Sequence, residues 1–550
     1  MSIVGTQDRL FSLDVAPRST PAYQWAQRGA SLPPAESRAP LAVVRRRNDG
    51  AVGLLADPGP LDIESVLGDP EIDLLGLLPP VYPERLGDAG FLRAHGCRFA
   101  YVVGEMARGI TTPRMVIAAA RQGLMAFHGS AGLPLAAIEA QITEIRQALG
   151  EAANWGANLI AHVGDAEREM ATAELLLRLG VHRISASAFL KLTPAVVRIA
   201  ATGLARAADG RIARRNFVFA KVSRPEVAEA FLRPAPREML AQLVQAGQIS
   251  AAEAELAAVI PVATDITVES DSGGHTDNRP LGAIFPVILR LRDEIAAGLD
   301  RDQAGERELV RVGAAGGIGT PDALAAAFQL GAAYVVTGSV NQSAVESGLS
   351  EVGRRMLAGA GVADVAMAPA ADMFELGIKV QVLKRGSIFA ARANKLYELY
   401  RRYGSFEALP EAERSWLEKQ VLRMPVDQAW AETRAYHARR SPAKVARADA
   451  DPQLRMALVC RRHLFLCSQW ARDGEVERKA DFQIWCGPAM GAFNEWVRGS
   501  FLEHPENRTV VQIACNLLEG AAAIQRAQQL RAFGLEVGPA SFQVRPKPLA

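Results

Sequence analysis

The stretch that most narrows the choice of fold is VRVGAAGGIGTPDALAAAFQLGAAYVVTGSVNQ, Val310 to Gln342. It reads as a short buried strand (Val310 to Ala314), a glycine turn (Gly316, Gly317, Gly319), a helix, a second strand (Ala333 to Thr337) and a second turn at Gly338-Ser339. Thr320 is a good N-cap and Pro321 suits the first helical position, so the helix start is well marked. Two short strands joined by one helix make a βαβ unit. Each strand ends in small residues, where backbone N–H groups can approach an anion and helix N-termini favour negative charge. In a (β/α)8 barrel the loops after strands 7 and 8 frequently form a phosphate site, and this pair has that pattern. A βα turn that needs glycine only for packing would read the same, so other segments decide.

They do so by repetition. From Arg98 to about residue 350, strand and helix signals alternate. Strands are expected at Phe99 to Val103, Leu124 to His128, Asn158 to His162, Arg183 to Ala186, Phe217 to Val222, Ile266 to Glu269, Val310 to Ala314 and Ala333 to Thr337. Eight strands separated mostly by helices over about 240 residues match a TIM barrel. A doubly wound open sheet would carry a dinucleotide fingerprint after its first strand, and none is there. Ahead of the barrel, the first forty residues read as irregular, Leu41 to Ala56 as a hairpin turning at Asn48-Asp49-Gly50, and the proline-punctuated run from Pro58 to Pro83 as a connector. Beyond residue 350 helices are expected at Glu351 to Ala371, Ser387 to Tyr403, through Ala412 to Arg447, at Leu454 to Trp470, and in two stretches within Asn507 to Phe533. The resulting division is an N-terminal lobe and linker over 1–80, a barrel over 81–350 and a mainly α-helical domain over 351–550.

Composition excludes several classes of partner. With 49% hydrophobic and 22% charged residues and a net charge of +2, the chain shows no concentrated basic stripe for nucleic acid. Its five scattered cysteines form no CxxC pair, so a disulfide framework is not expected and a reducing cytoplasm is the natural compartment. Neither a signal peptide nor an uninterrupted apolar run of membrane-spanning length is visible.

If the barrel is right, chemistry belongs at the C-terminal ends of its strands. The residues there are Met106 and Ala107, Ser130, Asn158, Ser187, Lys221, Ser272-Gly273-Gly274-His275, Gly316-Gly317 and Gly338-Ser339. Small residues, amides, hydroxyls, one lysine and one histidine suit a flat, phosphate-bearing cofactor such as FMN; a metal fits poorly, because no His/Asp/Glu cluster has ligand spacing. His275, beside two glycines at a strand end, is the group best suited to move a proton near neutral pH. Glu105 and Arg108 flank Met106-Ala107, placed to pair with each other or to face substrate. Ser130 lacks the G-x-S-x-G elbow and reads as packing. Cys460, His463 and Cys467 read as a buried helix face rather than zinc ligands. Trp485 and Trp496, near Gly487-Pro488-Ala489-Met490-Gly491, read equally as tunnel wall or core.

The segments GEMARGIT, WGANLIAHVGD, KVSRPEVA, DITVESDSGGHTDNRP and GAAGGIGTPDALAAAFQLGAAYVVTGSVNQ resemble the PfaD family, the stand-alone enoyl reductases of polyunsaturated fatty acid and polyketide synthases. More distantly they resemble nitronate monooxygenases and flavin-dependent bacterial enoyl reductases. The resemblance implies tightly bound FMN, NADPH as co-substrate, and an enoyl thioester on an acyl carrier protein as substrate. It implies that Met106 and Ala107 lie against the flavin ring, that Asn158 and Lys221 bond its polar edge or ribityl chain, that Gly316, Gly317, Gly338 and Ser339 hold its phosphate, and that His275 is the acid. With a carrier protein as partner, the Arg401-Arg402, Arg439-Arg440 and Arg461-Arg462 pairs are candidates for its acidic surface, although solvated helix faces are the default. A homodimer is compatible with the sequence, which leaves the oligomeric state open. Two other functions use much of the same pattern: a nitronate monooxygenase-type oxidase, and a non-catalytic synthase component.

Overall fold

The structure is a computed structural model that describes residues 23–25, 37–162, 164–274, 276–298, 309–438 and 441–549. His275, Arg439 and Arg440 lie outside the described residues, as does most of the stretch before residue 37. The chain forms two compact units, Met1–Tyr82 with Ala522–Val544, and Pro83–Ala521 with Arg545–Ala550.

The larger unit contains a closed parallel barrel of eight strands: β1 (Tyr101–Val103), β2 (Met125–His128), β3 (Trp155–Ile160), β4 (Arg183–Ser187), β5 (Phe217–Val222), β6 (Asp265–Glu269), β7 (Arg311–Ala315) and β8 (Val335–Thr337). Closure is made by β8 pairing with β1, Val335 opposite Tyr101 and Thr337 opposite Val103. The strands are short β-prone runs, buried along most of their length, as a sheet covered by helices requires. Seven of the eight lie within two residues of the expected bounds at each end. The third starts three residues earlier than expected, because Gly156 is needed inside it. A Cβ there would sit 2.2 Å from the Arg183 carbonyl oxygen and 2.6 Å from the Phe127 ring. That close approach between neighbouring strands is not visible in the local pattern. The helix after β7 runs Pro321–Gln329, and Thr320 caps it by accepting from the Ala323 N–H at 3.3 Å.

At the N-terminal end of the barrel, Asp265 and Arg311 open β6 and β7 and meet His95. The guanidinium of Arg311 donates to Asp265 from Nε at 2.7 Å and from Nη2 at 3.1 Å, and His95 Nε2 lies 3.2 Å from Asp265 Oδ2. Burial alone would raise the Asp265 pKa, but His95 and Arg311 together hold the carboxyl well below the usual range. His95 goes the other way: burial dominates its neighbours and lowers its pKa.

His128 and His463 are also buried, and burial pulls each down to about 4. A histidine depressed in the folded state binds its proton more readily when unfolded, so stability is full above pH 6.5 and falls as the pH drops toward 4. Each is worth roughly 2–4 kcal/mol over that interval. The melting temperature is therefore expected to fall steeply between pH 6.5 and 4.5, and a flat profile in differential scanning fluorimetry would contradict this account.

The smaller unit holds the expected hairpin, Leu41–Arg46 against Val52–Ala56, with Gly50 at φ +70° in the turn. Gln24–Trp25 adds to one edge and Ile72–Leu78 to the other, so part of the stretch expected to be irregular is a strand. The expected connector is also structured, as a helix over Pro60–Gly68 followed by Ile72–Leu78. Pro60 falls at the start of that helix, where its missing N–H costs nothing, and Pro70 and Pro79 fall between elements. In the same unit Leu530 and Leu535 pack with Leu41, Val43, Leu54 and Leu78, while buried Arg526 donates to the Ser37, Ala39 and Pro79 carbonyls.

After the barrel the larger unit is mainly helical, with Phe389–Tyr403, Val426–Ala438 and Pro452–Asp473 as its longer helices. The expected helix over Glu351 to Ala371 is shorter, Glu351–Ala358, and Val365–Pro369 instead pairs antiparallel with Lys379–Leu383. Asn507 to Phe533 forms one long helix, Val510–Ala532, rather than two stretches. Cys460, His463 and Cys467 lie buried on one helix, and among the described residues no group has the makings of a metal site. All five cysteines are free and buried. No described helix is long and apolar enough to cross a membrane.

Candidate active site

The C-terminal ends of the strands surround a cavity of about 1170 Å³, counted to its open mouth. Met106, Ala107, Asn158, Ser187, Lys221, Ser272, Gly273, Gly274, Gly316, Gly317, Gly338 and Ser339 all line it. Ser130 does not. It sits 2% exposed with its Oγ 3.0 Å from His128 Nδ1, the other ring nitrogen of which meets Gln141 at 2.6 Å, an arrangement of packing rather than of a nucleophile.

The turns after β7 and β8 differ in what their glycines do. Gly316 (φ +86°) needs its freedom, since a Cβ would lie 2.6 Å from Ser270 Oγ; Gly319 admits the Ala489 carbonyl oxygen to 2.1 Å of where its Cβ would stand. Around Gly317 and Gly338, by contrast, no atom of the described residues lies within 4 Å of an added Cβ. Those two positions leave open space beside exposed backbone, the cradle that an anion's oxygens occupy. Ser339 accepts a hydrogen bond from the Gly487 N–H at 3.1 Å, so the chain beyond the barrel joins this end of the cavity.

A charged bridge also lines the cavity. Lys221, on β5, reaches Glu105 at 3.0 Å and Glu269 at 2.8 Å, all three largely buried. Desolvation would lower the lysine's pKa, but the two carboxylates outweigh it and raise it above the ordinary value. Asn158 donates to the Ser185 carbonyl at 2.9 Å and to Ser187 Oγ at 2.8 Å, leaving its own carbonyl oxygen as remaining capacity.

Glu105 and Arg108 do not pair with each other. Glu105 goes to Lys221 and accepts from Ser185, while Arg108, at φ +63°, turns outward to the helix Pro452–Asp473. Its Nη1 donates to the Phe465 carbonyl at 2.8 Å and to Ser468 Oγ, and its guanidinium lies 3.8 Å over the Phe465 ring. The arginine thus braces the Met106-Ala107 loop from outside.

Part of the segment expected as either tunnel wall or core lies at the cavity, and Gln342, which carries no such expectation, joins it. Trp485, Gly487 and Ala489 line the cavity, whereas Trp496 instead packs edge-on against Phe493. Gly273 and Gly487 let the two backbones touch: a Cβ on Gly273 would stand 2.9 Å from the Cys486 nitrogen. Gln342 also lines it, 3% exposed, with its Nε2 donated to the Trp485 carbonyl at 2.5 Å and its Oε1 unpartnered. Trp485 and the glycines of GPAMG were the local signals of this segment. Arg461, offered as a partner-facing residue, is tied to Glu375 at 2.9 Å.

A closed parallel barrel with glycine cradles after its last two strands and amides, hydroxyls and a bridged lysine facing them is a cofactor-binding (β/α)8 barrel. Comparison with known proteins takes this further. The enoyl reductase domain of MlnA, from the macrolactin biosynthesis cluster of Bacillus amyloliquefaciens, superposes with a TM-score of 0.76 at 35% identity, covering 82% of this chain and 99% of that one. A polyunsaturated fatty acid synthase polypeptide of Thraustochytrium sp. is 43% identical over 470 residues, 84% of this chain and 31% of that protein. The polyketide biosynthesis protein PksE of Bacillus subtilis is 43% identical over 441 residues, 80% of this chain and 56% of that protein. The chain therefore spans from about a third to about half of the length of these two relatives. Residues 403–482 match the inserted helical domain of [acyl-carrier-protein] S-malonyltransferase. The chain belongs to the enoyl reductase family of polyunsaturated fatty acid and polyketide synthases.

Proposed function

We propose that the chain is a trans-acting enoyl reductase that reduces the α,β double bond of an enoyl thioester held on an acyl carrier protein, with FMN in the cavity and NADPH as reductant. The observation that carries this reading is the cavity itself: twelve residues chosen as cofactor contacts from the sequence line one space, with open backbone cradles at Gly317 and Gly338. The match over 99% of an enoyl reductase domain supports the reaction class.

The donor set fits FMN. Gly316, Gly317, Gly338 and Ser339 offer backbone and hydroxyl donors to a phosphate. Asn158, Ser187 and the third N–H of Lys221 offer partners to a polar ring edge or ribityl chain, and Gln342 Oε1, buried and unpartnered, waits for a donor. Met106 and Ala107 supply a flat apolar contact. When bound, the flavin supplies the hydride that reaches the β-carbon of the thioester. His275 gives the proton to the α-carbon or steadies the charge on the thioester oxygen, the role that its place after Gly273-Gly274 gives it by family resemblance. Ser272, Gly273 and Gly274 carry the chain to it along the cavity wall. The Glu105–Lys221–Glu269 bridge keeps the lysine protonated, so it orients and does not act as a base.

The test is anaerobic. Purified yellow protein should be bleached by NADPH and recoloured by a crotonyl or longer enoyl thioester on carrier protein, with a product two hydrogens heavier, and His275→Ala should lose only the second step. Protein that will not take up FMN, or a reduced flavin that only oxygen reoxidises, overturns the proposal.

A further inference from the structure

A second cavity adjoins the first. It measures about 930 Å³, counted to its mouth, and shares two lining residues with the cofactor cavity, Ala188 and Lys221. Ala188 stands at that junction with φ +61°, a left-handed conformation that an alanine rarely adopts and that tends to persist where the surroundings enforce it. One wall comes from the barrel, with Phe189 after β4 and Val227 in the helix that follows β5. The facing wall comes from outside the barrel, with Met367 on one strand of the antiparallel pair and Met373 and Ile378 in the turn that joins them.

The chemistry of these walls selects an occupant. Phe189, Val227, Met367, Met373 and Ile378 present apolar surface, and methionine adapts to chains of different shape. Arg224 is committed to Asp277 at 2.6 Å, and Gly377, the one glycine among the described lining residues, has the Tyr397 hydroxyl 2.3 Å from where its Cβ would stand instead of the open space found at Gly317 and Gly338. A nicotinamide dinucleotide, with its two phosphates, would meet Lys379 but no open backbone cradle among the described lining residues. An aliphatic chain would find these apolar walls next to the cofactor cavity, with Ser223, Arg224, Thr276, Asp277 and Lys379 also in the lining.

We propose that this second cavity binds the acyl chain of the thioester beyond its reacting carbons, and that Met367, Met373 and Ile378 limit the length it accepts. The inference rests on the enoyl reductase reading, but binding tests it separately from reduction. Full-length FMN-loaded protein is titrated calorimetrically with butyryl and decanoyl pantetheine thioesters, which cannot be reduced. Met367→Trp and Ile378→Trp, both at partly buried positions, fill the cavity without entering the first.

Each variant is expected to weaken decanoyl binding at least 10-fold while changing butyryl binding less than 2-fold, with the rate of flavin reduction by NADPH held. The paired Met367→Ala, Ile378→Ala variant is expected to tighten binding of a tetradecanoyl thioester relative to wild type, which guards against a tryptophan variant that fails to fold. Equal loss for both chain lengths, or an unchanged decanoyl affinity, overturns the acyl site. A raised KM for NADPH with unchanged thioester binding also overturns it, in favour of a nicotinamide pocket. Wild-type protein that discriminates chain length as expected yet reduces no enoyl thioester would instead refute the proposed reaction and leave the acyl site standing.

Discussion

Gly338→Ala is expected to purify as a folded, colourless protein. The added methyl meets no atom of the described residues within 4 Å and the backbone φ is −127°, so folding has little reason to suffer. Its methyl enters the open space beside the turn after β8, where the cofactor phosphate is proposed to sit. Losing even one hydrogen bond to a charged group costs roughly 1.5–3 kcal/mol, a 10- to 150-fold drop in affinity. Flavin content by absorbance and the melting temperature of the apoprotein, measured together, check both halves. Gly319→Ala is the contrasting control. Its methyl would stand 2.1 Å from the Ala489 carbonyl oxygen, so it should lower the melting temperature whether or not flavin is present. A Gly338→Ala protein that keeps its colour would move the phosphate elsewhere.

The second large effect is expected at the other end of the barrel. Asp265→Ala removes the carboxylate that meets His95 and Arg311 in a site from which water is excluded, with the aspartate side chain fully buried. Breaking a buried pair by taking away one partner leaves an uncompensated charge, and roughly 3–5 kcal/mol of stability should go with it. Urea unfolding followed by tryptophan fluorescence reads that loss as a lowered midpoint at unchanged slope. Asp209→Ala offers the comparison: its bridge to Arg211 is exposed on both sides, and its removal should leave the midpoint where it is. If Asp265→Ala unfolds at the wild-type midpoint, the triad does not hold the barrel floor.

These two experiments probe opposite ends of the same strands, and the ends were not equally readable. At the C-terminal ends, glycine, asparagine, serine and lysine interrupt apolar runs at the points where strands stop, so the local pattern itself marks them. At the N-terminal ends, Asp265 and Arg311 are 46 residues apart and His95 is 170 from Asp265; nothing local announces that they meet. The same holds for Glu105 and Lys221. Their charges stood out in sequence, but only closure of the barrel brings β1's loop to within 3.0 Å of a side chain on β5.

What the amino-acid sequence determined by itself is the barrel: eight apolar β-prone runs, the glycines after the seventh and eighth, and the helix caps between them, all of which act within a few residues of chain. What only the tertiary structure decided is whatever depends on separate segments arriving at one place. The Met367 strand replaced the end of an expected helix because it pairs with the Lys379 strand, with Pro369 opposite Lys379, across a turn that local propensity does not reveal. Trp485, Gly487 and Ala489 close the cavity because glycines at 273, 319 and 487 permit backbone contact between regions more than 150 residues apart. Periodicity and capping are short-range and survive in a one-dimensional reading; steric fit and charge pairing across the fold are long-range, and they appear only when the chain is packed.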